Sequence, residues 1–205
     1  MSVHYKTRIP HLYRYLAPIY DPIRPYWTQT ISRGAEQYLE KWLKELVHPD
    51  SVILDLGCGP ASNLKRLERL DLPFTHYVGL DLSSAMLTRH PTPTNRQASF
   101  ILGDIWHPPF ATESFDLILS TWAFSHLHHT LPVIQTMLHL LRPGGQLLIV
   151  CFARPNNLIG RILHITEPLF LMRCPTWEEI STWPNVMEAK PFLGGVNAVV
   201  RLHRK

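Results

Sequence analysis

The sequence predicts an α/β fold: a three-layer sandwich around a mostly parallel, seven-stranded sheet that closes with an antiparallel C-terminal hairpin. Three observations predict it. Short apolar runs at 52–56, 77–81, 98–102, 115–120 and 146–152 alternate with segments whose apolar residues recur every three or four positions. The run Val52-Ile53-Leu54-Asp55-Leu56 is apolar at four of its five positions, as a parallel strand covered on both faces is. Finally, residues 186–192, Gly194-Gly195 and 196–203 read as two strands joined by a turn.

The first run carries the chemistry. It ends in Gly57-Cys58-Gly59-Pro60, and Leu64, Leu67 and Leu70 then follow at helical spacing. Strand, glycine turn and helix, a Rossmann-like unit, form the layout of a nucleotide-binding crevice, where glycines permit the turn and a close ligand. Asp55 narrows the choice of ligand. A dinucleotide's pyrophosphate is anionic and seeks backbone N–H groups, which a carboxylate opposes. S-adenosylmethionine (SAM) carries an ammonium and a sulfonium, which a carboxylate suits.

Taken in order, residues 1–25 form an arm rich in Tyr, Pro and Arg, with a turn expected at 19–22 because Pro22 disfavours helix at Asp21. A long amphipathic helix is expected over 27–47, carrying Ile31, Ala35, Tyr38, Leu39, Trp42, Leu43 and Leu46 on one face. The second strand ends at Asp81, 22 residues beyond Gly59, near the spacing of an acid that binds ribose hydroxyls. Ser83 is placed to cap the helix after it. Residues 90–95 are a loop by composition. The third strand runs into Gly103-Asp104-Ile105. The fourth releases Thr121-Trp122-Ala123-Phe124-Ser125-His126 at its C-terminal end, where ligands of open α/β sheets bind. A helix over 131–141 stops at Arg142-Pro143-Gly144-Gly145. Residues 154–173 are expected to be helical, and a short helix follows near 176–182.

Asp-Leu-Gly-Cys-Gly-Pro at 55–60 and Leu-Leu-Arg-Pro-Gly-Gly-Gln-Leu-Leu-Ile-Val at 140–150 resemble motifs of the class I SAM-dependent methyltransferases. Ala61 stands where that family often has a third glycine. Ala17-Pro18-Ile19-Tyr20-Asp21 and Phe152-Ala153-Arg154-Pro155-Asn156-Asn157 resemble the ubiquinone/menaquinone-biosynthesis C-methyltransferases and their lipid and small-molecule relatives. The resemblance covers about residues 20–148. It implies one methyltransferase domain over 1–205, with 1–48 as a cap arm and helix and 154–183 as a helical insertion near the substrate. It implies SAM as cofactor and S-adenosyl-L-homocysteine as product. The implied cofactor contacts are Asp55, Gly57, Cys58, Gly59, Asp81, Leu82, Met86, Asp104, Ile105, Ser120 and Thr121. Asp104 and the Ile105 N–H would face the adenine. His126 is the candidate general base, with packing at a helix start as the alternative. Tyr20 and Trp122 are candidates for an aromatic face beside the sulfonium.

Composition bounds the partners. Hydrophobic residues make up 45% and charged residues 18%, as in a globular chain. The net charge of +4 comes from scattered basic residues, so charge alone is a weak argument for nucleic acid. The Asn/Asp-Pro-Pro-Tyr/Phe segment of amino-methylating DNA enzymes is replaced by Ser120-Thr121-Trp122-Ala123. Cys174-Pro175 lies outside the region where RNA cytosine-5 enzymes keep their nucleophile. His126, His128 and His129 have no carboxylate at a metal-binding spacing, so no metal is expected. Three cysteines without a Cys-x-x-Cys pair indicate a reducing, cytoplasmic setting. Residues 1–10 lack the apolar stretch of a secretory signal. The expected partner is therefore a small-molecule substrate. A SAM-binding protein without methyl transfer and a nucleic-acid methyltransferase are the alternatives. Peripheral membrane contact through 154–173, with Arg154, Arg161 and Arg173, is a further alternative to a substrate lid. The sequence does not specify an oligomeric state.

Overall fold

The structure, a computed structural model, describes residues 3–90 and 98–205. Five parallel strands form most of one sheet: β1 (Val52–Leu56), β2 (His76–Asp81), β3 (Ala98–Leu102), β4 (Phe115–Thr121) and β5 (Leu141–Phe152). β6 (Val186–Phe192) and β7 (Asn197–His203) complete it in the order β3-β2-β1-β4-β5-β7-β6. β7 runs antiparallel to both neighbours, as the C-terminal hairpin predicts. The order reverses between β1 and β4, which opens a crevice at the carboxyl ends of β1, β2 and β4.

Alternation along each strand creates the two outer layers. Ile53, Tyr77, Leu117, Leu119, Leu148, Val150 and Val199 pack against α2 (Arg33–Leu46) and α3 (Ser62–Arg69). Leu54, Leu56, Val78, Leu80, Ile118, Leu147, Ile149 and Val200 face the opposite way, toward the helix of residues Thr130–Leu140. The central strands, covered on both faces, are apolar at most positions, which is why the periodicity reads as runs, whereas the edge strands β3 and β6 stay partly exposed.

Three local readings differ from the structure. The arm over 1–25 is instead one helix, α1 (Val3–Gln29), which passes through Pro10, Pro18, Pro22 and Pro25. By helical spacing these prolines lie on one side, and Pro18, Pro22 and Pro25 are exposed. Water can therefore serve the carbonyls they leave unpaired. Ile9 and Ala17 are buried on another side, and their burial offsets the proline cost. α1 stops at a turn over residues 30–32 and α2 is shorter than the helix expected over 27–47. The second difference is Arg142-Pro143-Gly144-Gly145. Besides ending the preceding helix, it loops out of the sheet: Leu141 pairs with Phe115, and pairing resumes at Gln146 with Leu117.

The third is the insertion. Between β5 and β6 its helical part is α6 (Leu158–Thr166) with a 3₁₀ turn over Glu167–Phe170, so residues 154–157 and 171–173 are not helical. Asn157 caps α6 by accepting from Gly160 N–H. In chain order the remaining helices are α4 (Ser84–Leu87), α5 (Thr130–Leu140) and α7 (Trp177–Ser181). The loop expected at 90–95 lies, from residue 91 on, outside the described residues. Among the described residues no helix is long and apolar enough to cross a membrane.

The α2 layer anchors the core. Trp42 is fully buried against the sheet. Trp42→Ala is expected to cost roughly 3–5 kcal/mol of folding free energy by opening a cavity there. Urea unfolding followed by far-UV circular dichroism measures it.

Candidate active site

The β1–α3 turn is built on backbone that favours glycine. Gly57 has φ +74° and Gly59 φ +55°. A Cβ on Gly57 would sit 2.4 Å from the Ala123 Cβ, so the space is reserved. The turn is tied to β2. The Gly57 and Cys58 N–H groups donate to Leu80 O at 2.8 and 3.1 Å, and Gly59 N–H donates to Asp81 Oδ2 at 2.8 Å. Asp81 Oδ1 accepts from Ser83 N–H at 2.8 Å. The cap expected of the Ser83 side chain is not formed; its Oγ makes no hydrogen bond, and Asp81 takes the neighbouring N–H instead. Burial raises the Asp81 carboxyl pKa, and the donated N–H groups oppose that rise.

Over this turn lies a cleft. Gly57, Gly59, Asp81, Leu82, Met86, Ile105, Thr121 and His126 line it, as do Tyr13 and Tyr20 from α1. The structure thus brings together most of the residues singled out in the sequence. Four of them do not line the cleft. Cys58 is buried and contacts its own turn. Ser120 Oγ donates to Leu56 O, joining β4 to β1. Asp104 Oδ1 accepts from Trp106 N–H, shaping the loop beside Ile105.

Asp55 is the fourth, and it is wholly buried behind the cleft. Its oxygens accept from Asn63 Nδ2 at 3.1 Å each and from Tyr77 OH at 2.5 Å. Asn63 Nδ2 also reaches Thr121 Oγ1 at 3.1 Å, and Thr121 lines the cleft. Arg66 bonds Asn63 Oδ1 and pairs with buried Glu36, which also accepts from Trp122 Nε1 at 3.0 Å. Desolvation pushes the Asp55 pKa up to about 6, against the bonds from Tyr77 and Asn63. Desolvation likewise lowers Arg66 to about 9. The network continues to Glu40, which pairs with both Arg66 and Arg69, and the charge of Arg24 also acts on Asp55. A carboxyl group behind the cleft fits SAM, whose positive ammonium and sulfonium suit such a neighbour better than an anionic pyrophosphate does.

A second cavity, of about 310 Å³, adjoins the first. It shares Tyr13, Tyr20, Trp122 and His126 with the cleft. Its remaining walls are mainly apolar: Leu12, Leu16, Ile19, Ile23, Trp27, Phe152 and Met172. Trp27, Trp122 and Phe152 form an aromatic cluster with ring centroids 5.1–5.6 Å apart. At the junction, His126 Nδ1 lies 3.1 Å from Leu171 O, and its Nε2 lies 2.9 Å from Tyr13 OH. A carbonyl only accepts, so Nδ1 carries the proton and Nε2 accepts from Tyr13. Burial lowers the His126 pKa below its usual value, opposed by the bond to Leu171.

Tyr13 and Trp27 were missed as site residues, because an arm broken at 19–22 hides their shared helix. Tyr13 and Tyr20 recur at seven residues, which places them on one face of a continuous helix.

Comparison with known proteins agrees with this architecture. Residues 54–149 match the family model described as a methyltransferase domain. Over these residues the chain is similar to methyltransferase domains. Over 153 residues it is 27% identical to a 2-phytyl-1,4-naphtoquinone methyltransferase of Thermosynechococcus vestitus, covering 74% of this chain and 67% of that one. Over 138 residues it is 30% identical to a human protein named probable tRNA methyltransferase 9B, covering 66% of this chain and 28% of that one. It spans 45% of the length of the ubiquinone/menaquinone biosynthesis C-methyltransferase of Wigglesworthia glossinidia brevipalpis, at 29% identity over 113 residues and 53% of this chain. Its fold is similar to the crystal structure of YcgJ from Bacillus subtilis, with TM-score 0.69 and 12% identity, covering 83% of this chain and 99% of that one.

The buried network sets a pH dependence. Asp55 holds its proton up to about pH 6 when folded, against about 3.8 when unfolded. Its contribution is therefore fully present below pH 3.8 and is lost as pH rises through 6. The loss amounts to about 3 kcal/mol. Asp55→Asn should abolish that part of the decline, seen as the difference between the two proteins' unfolding free energies from pH 4 to 7.

Proposed function

We propose that the protein transfers the methyl group of SAM to a small apolar acceptor, quinone-like or lipid. The observation that carries this reading is the apolar cavity that shares Tyr13, Tyr20, Trp122 and His126 with the cleft. SAM supplies an activated methyl on a sulfonium, and the chain's residues do the rest. In this reading the glycine turn admits the cofactor's backbone. Asp81, which lines the cleft, holds the ribose hydroxyls with the acceptor capacity that its backbone donors Gly59, Ser83 and Leu82 leave. Leu82 and Met86 flank the adenine, and Asp104 and Ile105 close its edge. The electron-rich faces of Tyr20 and Trp122 favour the sulfonium.

The acceptor lies against Trp27 and Phe152, aligned with the methyl and shielded from water by α1. A proton leaving its hydroxyl reaches His126 Nε2, directly or through the Tyr13 hydroxyl. The Leu171 carbonyl orients the imidazole by holding Nδ1–H. Three free, buried cysteines support a cytoplasmic setting.

A second reading, methylation of RNA, is favoured by the tRNA methyltransferase relative and by a cleft outside the crevice in which Arg24, Arg33, Lys65, Arg66 and Arg69 outnumber Glu36 and Glu40. Labelled SAM offered with reduced naphthoquinones and, separately, with bulk tRNA distinguishes the two by which product takes the label. Label in neither, with SAM binding intact in calorimetry, would leave a binding protein.

His126 is the base in this proposal. His126→Ala should lower turnover by roughly 10²–10⁴-fold while SAM affinity stays close to that of wild type. Because burial lowers the His126 pKa, the wild-type rate should rise with pH through a group titrating below 6.5 and level off near neutrality. A folded variant with the same rate and profile would remove the base and keep the transfer.

A further inference from the structure

Large apolar side chains that remain exposed are concentrated on two elements. On α6 and its 3₁₀ turn, Leu158, Ile159, Ile162, Ile165 and Leu169 are exposed, Ile165 at 75% and Leu169 at 77%. On α1, Tyr15, Ile19, Ile23 and Tyr26 are exposed. These are nine of the fourteen such residues among those described. Each set forms a stripe. Leu158, Ile162 and Ile165 recur at helical spacing with Leu169 in the following turn, and Tyr15, Ile19, Ile23 and Tyr26 do the same along α1.

The segment that follows the 3₁₀ turn meets α1 at the acceptor cavity. Leu171 is bonded to His126, which is bonded to Tyr13 of α1. Ile19, Ile23 and Met172 line the cavity itself.

Charge follows the same division. Residues 1–35 and 154–173 together hold eight Lys and Arg against two acids, Asp21 and Glu167. The rest of the chain holds twelve against fourteen. Arg154 pairs with buried Glu167 at 3.7 Å and Arg173 pairs with Glu179, so the cations left for a partner are the others. Arg161, exposed beside the α6 stripe, and Arg8 and Arg14, exposed on α1, stand free to meet anions. A surface that is both apolar and cationic suits the interface of an anionic bilayer, where side chains enter the acyl boundary and arginines meet the headgroups.

We propose that α6 and α1 dock the protein on an anionic membrane surface, with the acceptor cavity opening toward the lipid. The inference deepens the apolar-acceptor reading and rests on it: an acceptor that lives in the bilayer then enters between Ile19, Ile23 and Met172 without crossing water.

Co-sedimentation of the full chain with vesicles tests it, since it needs neither cofactor nor acceptor. Binding should be weak to phosphatidylcholine alone, at least about tenfold stronger when phosphatidylglycerol is mixed in, and reduced by salt. The double change Ile165→Glu and Leu169→Glu should lower binding at least about tenfold. Both side chains are exposed, so thermal unfolding and SAM binding should be unchanged. If that pair misfolds, Ile165→Ser with Leu169→Ser gives the same test, and Arg161→Glu reads the electrostatic part. A wild-type chain that stays in the supernatant with mixed vesicles overturns the proposal, as does a folded double variant that binds as well as wild type. So does gel filtration showing a dimer that the double change dissociates, without vesicle binding, because a second copy would then cover the face. Failure of the apolar-acceptor reading shows separately, as no label in reduced naphthoquinones while vesicle binding persists.

Discussion

Asp81 is the clasp on which the crevice depends. Its two oxygens hold the N–H groups of Gly59 and Ser83, so one carboxylate fixes the turn after β1 against the turn after β2. The Leu80 carbonyl reinforces the clasp by accepting from Gly57 and Cys58. A buried acid accepting two backbone donors offsets part of its own desolvation. The cost is met where it also shapes a surface: with the turns fixed, Gly57, Leu82 and Met86 line one wall, and α4 becomes the seat on which α1 packs. The crevice is therefore a property of the fold before any ligand enters, which is the preorganisation that methyl transfer requires.

The parts legible in the sequence are those decided locally or by the sheet's period. Both faces of the strands are covered, so their apolar runs stand out, and the Gly57-Cys58-Gly59 turn must follow wherever β1 ends. Asp81, Thr121 and His126 fall at the carboxyl ends of strands, and strand ends can be located from periodicity alone. α1 was not legible, because the proline rule is local and its exception is tertiary. Four prolines break a helix in isolation, but here three point to water while Ile9 and Ala17 are buried. The arm therefore becomes a lid, and Tyr13 and Trp27 join the site with it. Asp55 was legible as a charge near the ligand. Its screen of Asn63 and Tyr77 was not, since those partners come from α3 and β2 and no spacing within one element announces them.

The two cavities differ in electrostatic character. Behind the cleft, Glu36, Arg66, Asn63 and Asp55 link α2, α3 and β1 in one buried chain. Its members are satisfied by one another, and through Asn63 it reaches Thr121 at the wall of the neighbouring cleft. The acceptor cavity, walled by Leu, Ile, Trp and Phe side chains, holds no such charge beyond Arg24 at its edge. The proposed reaction would thus place its cationic donor and its apolar acceptor in adjacent spaces of different character.

Trp122 borders both spaces. It adopts φ +67°, a left-handed conformation that costs a non-glycine residue about 1–2 kcal/mol. Two bonds hold it there: its N–H donates to Val150 O at 2.6 Å, and its indole Nε1–H donates to Glu36. The strain places the ring between Trp27 and Phe152 while its backbone borders Thr121 at the cleft. The wall of the acceptor cavity is thus fastened to the same Glu36 that neutralises Arg66 in the cofactor-side network. Trp122 lines both cavities, so a single strained residue, held by Glu36, borders the cleft and the apolar space alike.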